Sequence, residues 1–341
     1  MENLSVCYLL KQKMLFQENW ERIKNKSIFD LILLEAHNAC SFNVNANLKI
    51  VCDQKWIEHL NNIPPILRQL TGIKRICNDF AKTQNRSLVD LLKTSGVRSL
   101  DIRIAIIDNV PWVHHTFLIS PLSLVLEQLT TFLQENPFEF VQVKLKWTDV
   151  PQTVYDDGAI TGYIDGSMSS LCKEMCANRD EYLFTLEQLK NVDKRLFIFI
   201  DKQTNTTTTA DKTKQVSILT PWSCGFINEF KDRYNDTNDA ALLIDKINKD
   251  VDKLNINHKY CIRYTLTPQS DDYVKHIVAC CGLSKKNLTL SDLNSSLPNI
   301  FSPGQINWTN WKKACNLSMD FIPSSDYISQ IILCKKIILD E

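Results

Sequence analysis

Short apolar runs alternate along this chain with longer stretches in which apolar residues recur at helical spacing. The short runs fall at 29–37, 97–105, 112–116, 138–146, 195–201, 216–219, 258–266 and 318–322, and they read as strands. The longer stretches at 87–94, 121–134, 185–192, 240–254, 271–280 and 326–333 read as amphipathic helices. Alternation of this kind builds a parallel sheet flanked by helices, and eight runs predict a single α/β barrel of the (β/α)8, TIM type. The second and third runs lie too close together for a crossover helix, so the barrel is expected to be irregular there. Residues 204–214, TNTTTTADKTK, are polar without periodicity and read as an exposed loop. The polar stretch 284–310, with Pro298, Pro303 and Gly304, reads as irregular. No repeat and no interdomain linker interrupts the pattern. One domain is expected over 1–341, with its barrel core at about 20–336.

Composition narrows the function. Lysine plus arginine equals aspartate plus glutamate at 39 each, so no overall field draws the chain to nucleic acid. The opening MENLSVCYLL is a short apolar run cut by Lys11 and Lys13, without the pattern of a secretory signal. No window reaches the ~18 apolar residues of a spanning helix. The expectation is a monomer, cytoplasmic or peripheral at a membrane, with no transmembrane segment. Twelve cysteines are scattered, with one C-x-x-x-C at Cys172 and Cys176 and one adjacent pair at Cys280 and Cys281. Zinc-ligand spacing is absent, and the cysteines read as free thiols.

Six histidines occur: His37, His59, His114, His115, His258 and His276. His37 ends LILLEAH, and His114 and His115 end PWVHH, at strand ends where barrel enzymes carry their chemistry. His59 and His276 sit in helical patterns and read as surface residues. His258 opens a strand and reads as structural. In GVRSLDIRIA, strand alternation puts Asp101 and Arg103 on one face with Ser99 below them. Charges on such a face need partners, so a salt-bridged structural pair stands beside the catalytic reading. Lys144 and Lys146 share a face of the fourth run, and Asp320 stands inside the apolar MDFI.

The ordered set of His37-Asn38 after an apolar strand, G-V-R-x-L-D-I-R, the His114-His115 pair, ENPFEFVQVKLK and MDFIPSSDYISQII resembles the X-domain of phosphatidylinositol-specific phospholipases C. The resemblance runs in order from about Trp20 to Lys336. It implies a TIM barrel that cleaves a phosphodiester without a cofactor or metal. His37 would be general base, Asp320 its orienting carboxylate, and His115 general acid. Arg103 would grip the phosphate oxygens in place of calcium, and Asp101 would hold Arg103 or His115. Lys146 would add charge, while Asn38, His114 and Lys202 would line the substrate site. The implied substrate is phosphatidylinositol, plain or glycosylated, at a membrane surface. Trp308 and Trp311 read equally as membrane-facing aromatics or ordinary packing.

Three positions depart from the family pattern. Leu34-Glu35-Ala36 replaces a small, glycine-containing stretch. Asn38 replaces the aspartate that supports the acid histidine in bacterial members, and Thr116 replaces a glycine after His115. These departures feed an alternative, a catalytically weak barrel that binds phosphoinositides or serves as an interaction protein. A magnesium-dependent glycerophosphodiesterase or sphingomyelinase D fits less well, because Glu35 precedes His37 rather than lying on a following strand.

Overall fold

A computed structural model describes residues 14–43, 78, 81–147, 157–200, 221–227, 230–233, 235–253, 259–266, 290–295, 297, 314–322 and 332. Its strands are β1 (Leu33–Ala36), β2 (Ser99–Ile107), β3 (Val110–His115), β4 (Phe117–Pro121), β5 (Val141–Trp147), β6 (Leu196–Ile200), β7 (Ser223–Phe226), β8 (Phe230–Arg233), β9 (Lys259–Tyr264) and β10 (Ala314–Met319). Its helices are α1 (Leu15–Ile23), α2 (Leu88–Thr94), α3 (Leu122–Glu135), α4 (Asp157–Gly166), α5 (Ser170–Met175), α6 (Leu186–Asn191), α7 (Ala240–Asp252) and α8 (Leu290–Ser295).

The sheet runs β7-β6-β5-β2-β1-β10-β9-β8, with every neighbouring pair parallel. This is an irregular α/β barrel. Its two ends, β7 and β8, are consecutive in the chain, and among the described residues no pairing joins them. Neither strand was anticipated, since SCGF and FKDR are four residues each and carry no clear alternation. The expected strand at 216–219, the helix at 271–280 and the loop at 204–214 lie outside the described residues. Within the stretch expected to be irregular, α8 forms a short helix.

The third run is not a barrel strand. Asp108 and Asn109 both have positive φ (51° and 63°), the turn that joins antiparallel strands in two residues, and β3 folds back along β2. β4 then pairs antiparallel with β3. The hairpin stands on the upper half of β2 and carries His115 back down toward the barrel rim. Eight strands still run parallel among the described residues, because β7 and β8 join β1, β2, β5, β6, β9 and β10.

The helix layer is apolar in the usual way. α3 buries Leu122, Val125, Leu126, Leu129, Phe132 and Leu133 against Leu100, Ile102 and Ile104 of β2 and Val143 and Leu145 of β5. Each such side chain contributes roughly 1.5–3 kcal/mol on leaving water. The opposite strand face is mixed. Leu33, Phe197, Phe199 and Phe230 cluster there with Phe16 and Ile23 of α1. Glu35, Ser99, Gln142, Lys144 and Asn316 form a buried polar group on it.

The N-P-F-E turn anchors the bottom layer. Glu139 accepts hydrogen bonds from the backbone N–H groups of Phe16 (2.9 Å) and Gln17 (3.1 Å) at the start of α1. Met14, at the N-cap, supplies no side-chain cap of its own, so Glu139 satisfies the helix end from a distance. Its other oxygen takes the Nε–H of buried Arg98 at 2.6 Å. No helix among the described residues is long and apolar enough to cross a membrane.

Candidate active site

The strand registers set the site. Glu35 lies level with Ser99 and Ser99 with Gln142; one step up, Asp101 lies level with Lys144, and Arg103 level with Lys146. Parallel neighbours in register present the same face, so these side chains stack in rows up one wall. Glu35 is fully buried and forms an ion pair with Lys144 (Nζ–Oε2 2.5 Å), and also accepts from Ser99 (2.9 Å) and Asn316 (2.8 Å). Burial alone would raise the carboxyl, but the Lys144 ammonium, with Arg263 further off, holds Glu35 down at about 2. Lys144 is pushed up in turn: burial opposes its charge, and the Cys261 thiol and Glu35 more than offset that. The glutamate that departs from the family pattern is therefore neutralised by a lysine two strands away.

Above this row lies the candidate centre. His37 Nδ1 lies 2.8 Å from Asp320 Oδ1, and the amide Nδ2 of Asn38 lies 3.0 Å from His37 Nε2. That pattern fits a neutral imidazole with its proton on Nδ1 and a lone pair on Nε2. Asp320 is nearly buried, and its second oxygen accepts from Asn294 of α8 at 3.5 Å. Asn294 is itself held by the backbone N–H of Leu266 (2.8 Å).

The rings of His37 and His115 face each other at 6.4 Å between centroids, inclined at 65°. His115 Nδ1 donates to the backbone carbonyl of Ala81 at 2.5 Å, which leaves Nε2 for other work. Burial and the charge of Arg103 hold His115 well below the usual imidazole range, against a smaller upward pull from Ala81. Thr116 then turns the chain at φ 65°, a conformation that a glycine adopts freely and a β-branched residue does not.

Asp101 Oδ2 receives both Lys146 Nζ (3.1 Å) and Arg263 Nη2 (3.1 Å), the latter reaching across from β9. Burial would raise this carboxyl, but Lys146, Arg263, His37 and Arg103 together hold it well below the carboxylate range. Its other oxygen, Oδ1, is buried with no hydrogen-bond partner among the described residues.

The structure thus brings His37, His115, Arg103, Asp101, Asp320, Asn38 and Lys146 to one end of the barrel. Two expectations change. The hydrogen bonds of Asp101 go to Lys146 and Arg263 rather than to Arg103 or His115. Asn38 contacts the ring of His37, and the carbonyl of Ala81 holds His115 instead. His114 lies buried beside His115 at the end of β3. Lys202, His59, His258, His276, Trp308 and Trp311 lie outside the described residues. Arg263, Asn294 and Ala81 were not singled out from the sequence. Only Arg263 left a signal there, as a charge set between the apolar residues of YCIRY. Among the described residues no cluster of three His, Cys, Asp or Glu side chains is arranged to hold a metal ion.

Two facing imidazoles, a carboxylate behind one of them and several buried cations thus share one end of an α/β barrel. No family model matches the chain. A PI-PLC X domain-containing protein of Dictyostelium discoideum is 26% identical over 122 residues, 35% of this chain and 19% of that protein's length. A double mutant of the phosphatidylinositol-specific phospholipase C from Staphylococcus aureus matches with a TM-score of 0.55 at 17% identity, covering 93% of this chain and 96% of that one. Another structure of that enzyme, concerned with its membrane binding, gives 0.56 at 16% identity, covering 92% and 94%. The solved structures show the shared barrel fold. The Dictyostelium relative is similar over about a third of this chain, which spans only 19% of that protein's length.

Proposed function

We propose that this protein cleaves phosphatidylinositol, or a glycosylated form of it, to diacylglycerol and inositol cyclic phosphate, using His37 as base and His115 as acid. The observation that carries the reading is the Asp320–His37 pair at 2.8 Å, facing His115 across 6.4 Å. Binding alone would need the cations but not a carboxylate-backed imidazole opposite a second one.

In this mechanism the inositol 2-hydroxyl displaces the Asn38 amide from His37 Nε2 and gives that nitrogen its proton. The hydroxyl oxygen attacks phosphorus, and the bond from phosphorus to the glycerol oxygen breaks. His115 Nε2 protonates the departing oxygen. Asp320 holds the His37 proton on Nδ1 and offsets the charge the ring gains. Such acid–base roles contribute about 10²–10⁴-fold each. Arg103 binds the non-bridging oxygens, where charge builds in the transition state. Lys146 is tied to Asp101 and adds to the positive potential.

His115 must carry a proton to act as acid, yet its surroundings favour the neutral ring. A phosphodiester bound beside Arg103 offsets the second of the two causes, so substrate raises His115 against the burial that holds it down. The proposed partner is a phospholipid surface. The test is product analysis: wild-type protein should release inositol cyclic phosphate from phosphatidylinositol vesicles, and His37→Ala and His115→Ala should not. A folded His37→Ala protein that kept the wild-type rate would end this reading.

A further inference from the structure

His37 and Asp320 leave the barrel on two separate strand ends. The last rung between them is His37 N–H to the Met319 carbonyl at 3.1 Å. Beyond it the chains part, with Phe321 turning sharply away at φ 48°. Something must hold the two ends so that the side chains meet.

Residues 81–84 lie across both ends. The two amide hydrogens of Gln84 Nε2 go to the carbonyls of His37 (3.0 Å) and Met319 (3.1 Å), and its Oε1 accepts from Ile322 N–H at 3.4 Å. Thr83 Oγ1 donates to the same His37 carbonyl at 2.9 Å, and the Thr83 carbonyl accepts from Phe321 N–H at 2.8 Å. Ser41 closes the ring, taking Thr83 N–H at 3.0 Å and lying 2.5 Å from its hydroxyl. Three residues earlier than Gln84, Ala81 holds His115. Ala81, Thr83 and Gln84 are all buried. Three residues of this four-residue segment, Ala81, Thr83 and Gln84, therefore touch the chain at both histidines and on either side of Asp320.

We propose that Gln84 is a positioning residue: its carboxamide pins the ends of β1 and β10 and thereby sets the His37–Asp320 contact. Gln84 touches no reacting atom. Its kinetic consequence rests on the phosphodiesterase reading above, while its structural consequence does not.

The test uses 15N-histidine-labelled full-length protein and the variants Gln84→Met, Asp320→Asn and Leu91→Ala. Leu91 is a buried core residue of α2, outside the site, and controls for lowered stability. Ring 15N shifts report the tautomer of His37 whether or not the protein is active. Wild type and Leu91→Ala should show the proton on Nδ1. Gln84→Met and Asp320→Asn should both show the mixed tautomers of an unheld ring. On phosphatidylinositol, Gln84→Met should lose about 10–100-fold in kcat with KM little changed, the effect of a small misplacement. A folded Gln84→Met protein with the wild-type tautomer overturns the proposal. If the tautomer changes but no variant or wild type cleaves lipid, the positioning stands and the function falls. Should Gln84→Met not fold, Thr83→Val, which removes the other donor to the His37 carbonyl, carries the same readings. If neither folds, the segment is structural only and the proposal fails.

Discussion

Replacing Lys144 by methionine keeps nearly the same volume and leaves Glu35 without its ammonium partner. The pair is deeply buried, with side-chain exposures of 3% for Lys144 and 0% for Glu35. Breaking one side of a buried pair costs about 3–5 kcal/mol, because the remaining charge is neither hydrated nor matched. The titration of Glu35 gives a compatible figure. Its carboxyl sits at about 2 against 4.5 in the free side chain, and that gap corresponds to about 3 kcal/mol. The sign follows from linkage. A depressed carboxylate contributes its full stability above about pH 4.5 and loses it as pH falls toward 2. Without Lys144, burial dominates and raises Glu35, so the fold prefers the protonated acid. Urea unfolding of Lys144→Met at pH 7 should therefore show a loss of about 3–5 kcal/mol, and a smaller deficit from wild type at pH 5. Glu35→Gln combined with Lys144→Met should recover most of the loss. A deficit below about 1 kcal/mol, or one independent of pH, would refute the claim that this pair neutralises the barrel interior.

Other consequences concern the site itself. Asp320→Asn should fold normally and lower kcat about 10²–10⁴-fold, since it removes the acceptor that fixes the His37 proton; steady-state kinetics decides. Thr116→Gly relieves a left-handed conformation costing about 1–2 kcal/mol and gives back part of it as glycine entropy. It should leave stability unchanged or raise it by up to about 1 kcal/mol in urea unfolding; a clear loss would show that packing of the threonine outweighs the strain. The depressed His115 should titrate higher when an anion lies beside Arg103. NMR titration with and without saturating inositol 1-phosphate should show that rise, and an unmoved His115 would contradict the charging of the acid by substrate.

Much of the barrel was legible because its strands are buried on both faces, and the chain announces them as apolar runs between helices. The hairpin was not legible as such. A run that ends in Pro-Trp-Val-His-His looks like any other strand until the positive φ at Asp108 and Asn109 reverses it. Nor did β7 and β8 stand out, being too short to show a period. In the site, the strand carrying Asp101 and Arg103 and the strand-end histidines could be picked out by residue type alone. Their partners could not. The pairing of Asp101 with Arg263, or Glu35 with Lys144, depends on cross-strand register and on reach through the barrel, which no local pattern encodes. Ala81 acts through a backbone carbonyl and leaves no mark in the sequence. Gln84 looks like one polar residue in a polar stretch, and only the two carbonyls it bridges distinguish it. The Asn38 departure is a related case: by residue type it removes a carboxylate expected to support His115, but in three dimensions its amide meets the ring of His37.

The central claim is that His37 and His115 cleave the phosphodiester without a divalent cation. It is tested most directly by phosphorus NMR of phosphatidylinositol vesicles incubated with the protein in excess EDTA, with His37→Ala alongside. The account predicts inositol cyclic phosphate in the wild-type sample and none with the variant. No cyclic product in EDTA, whether calcium or magnesium then restores cleavage or not, would contradict it.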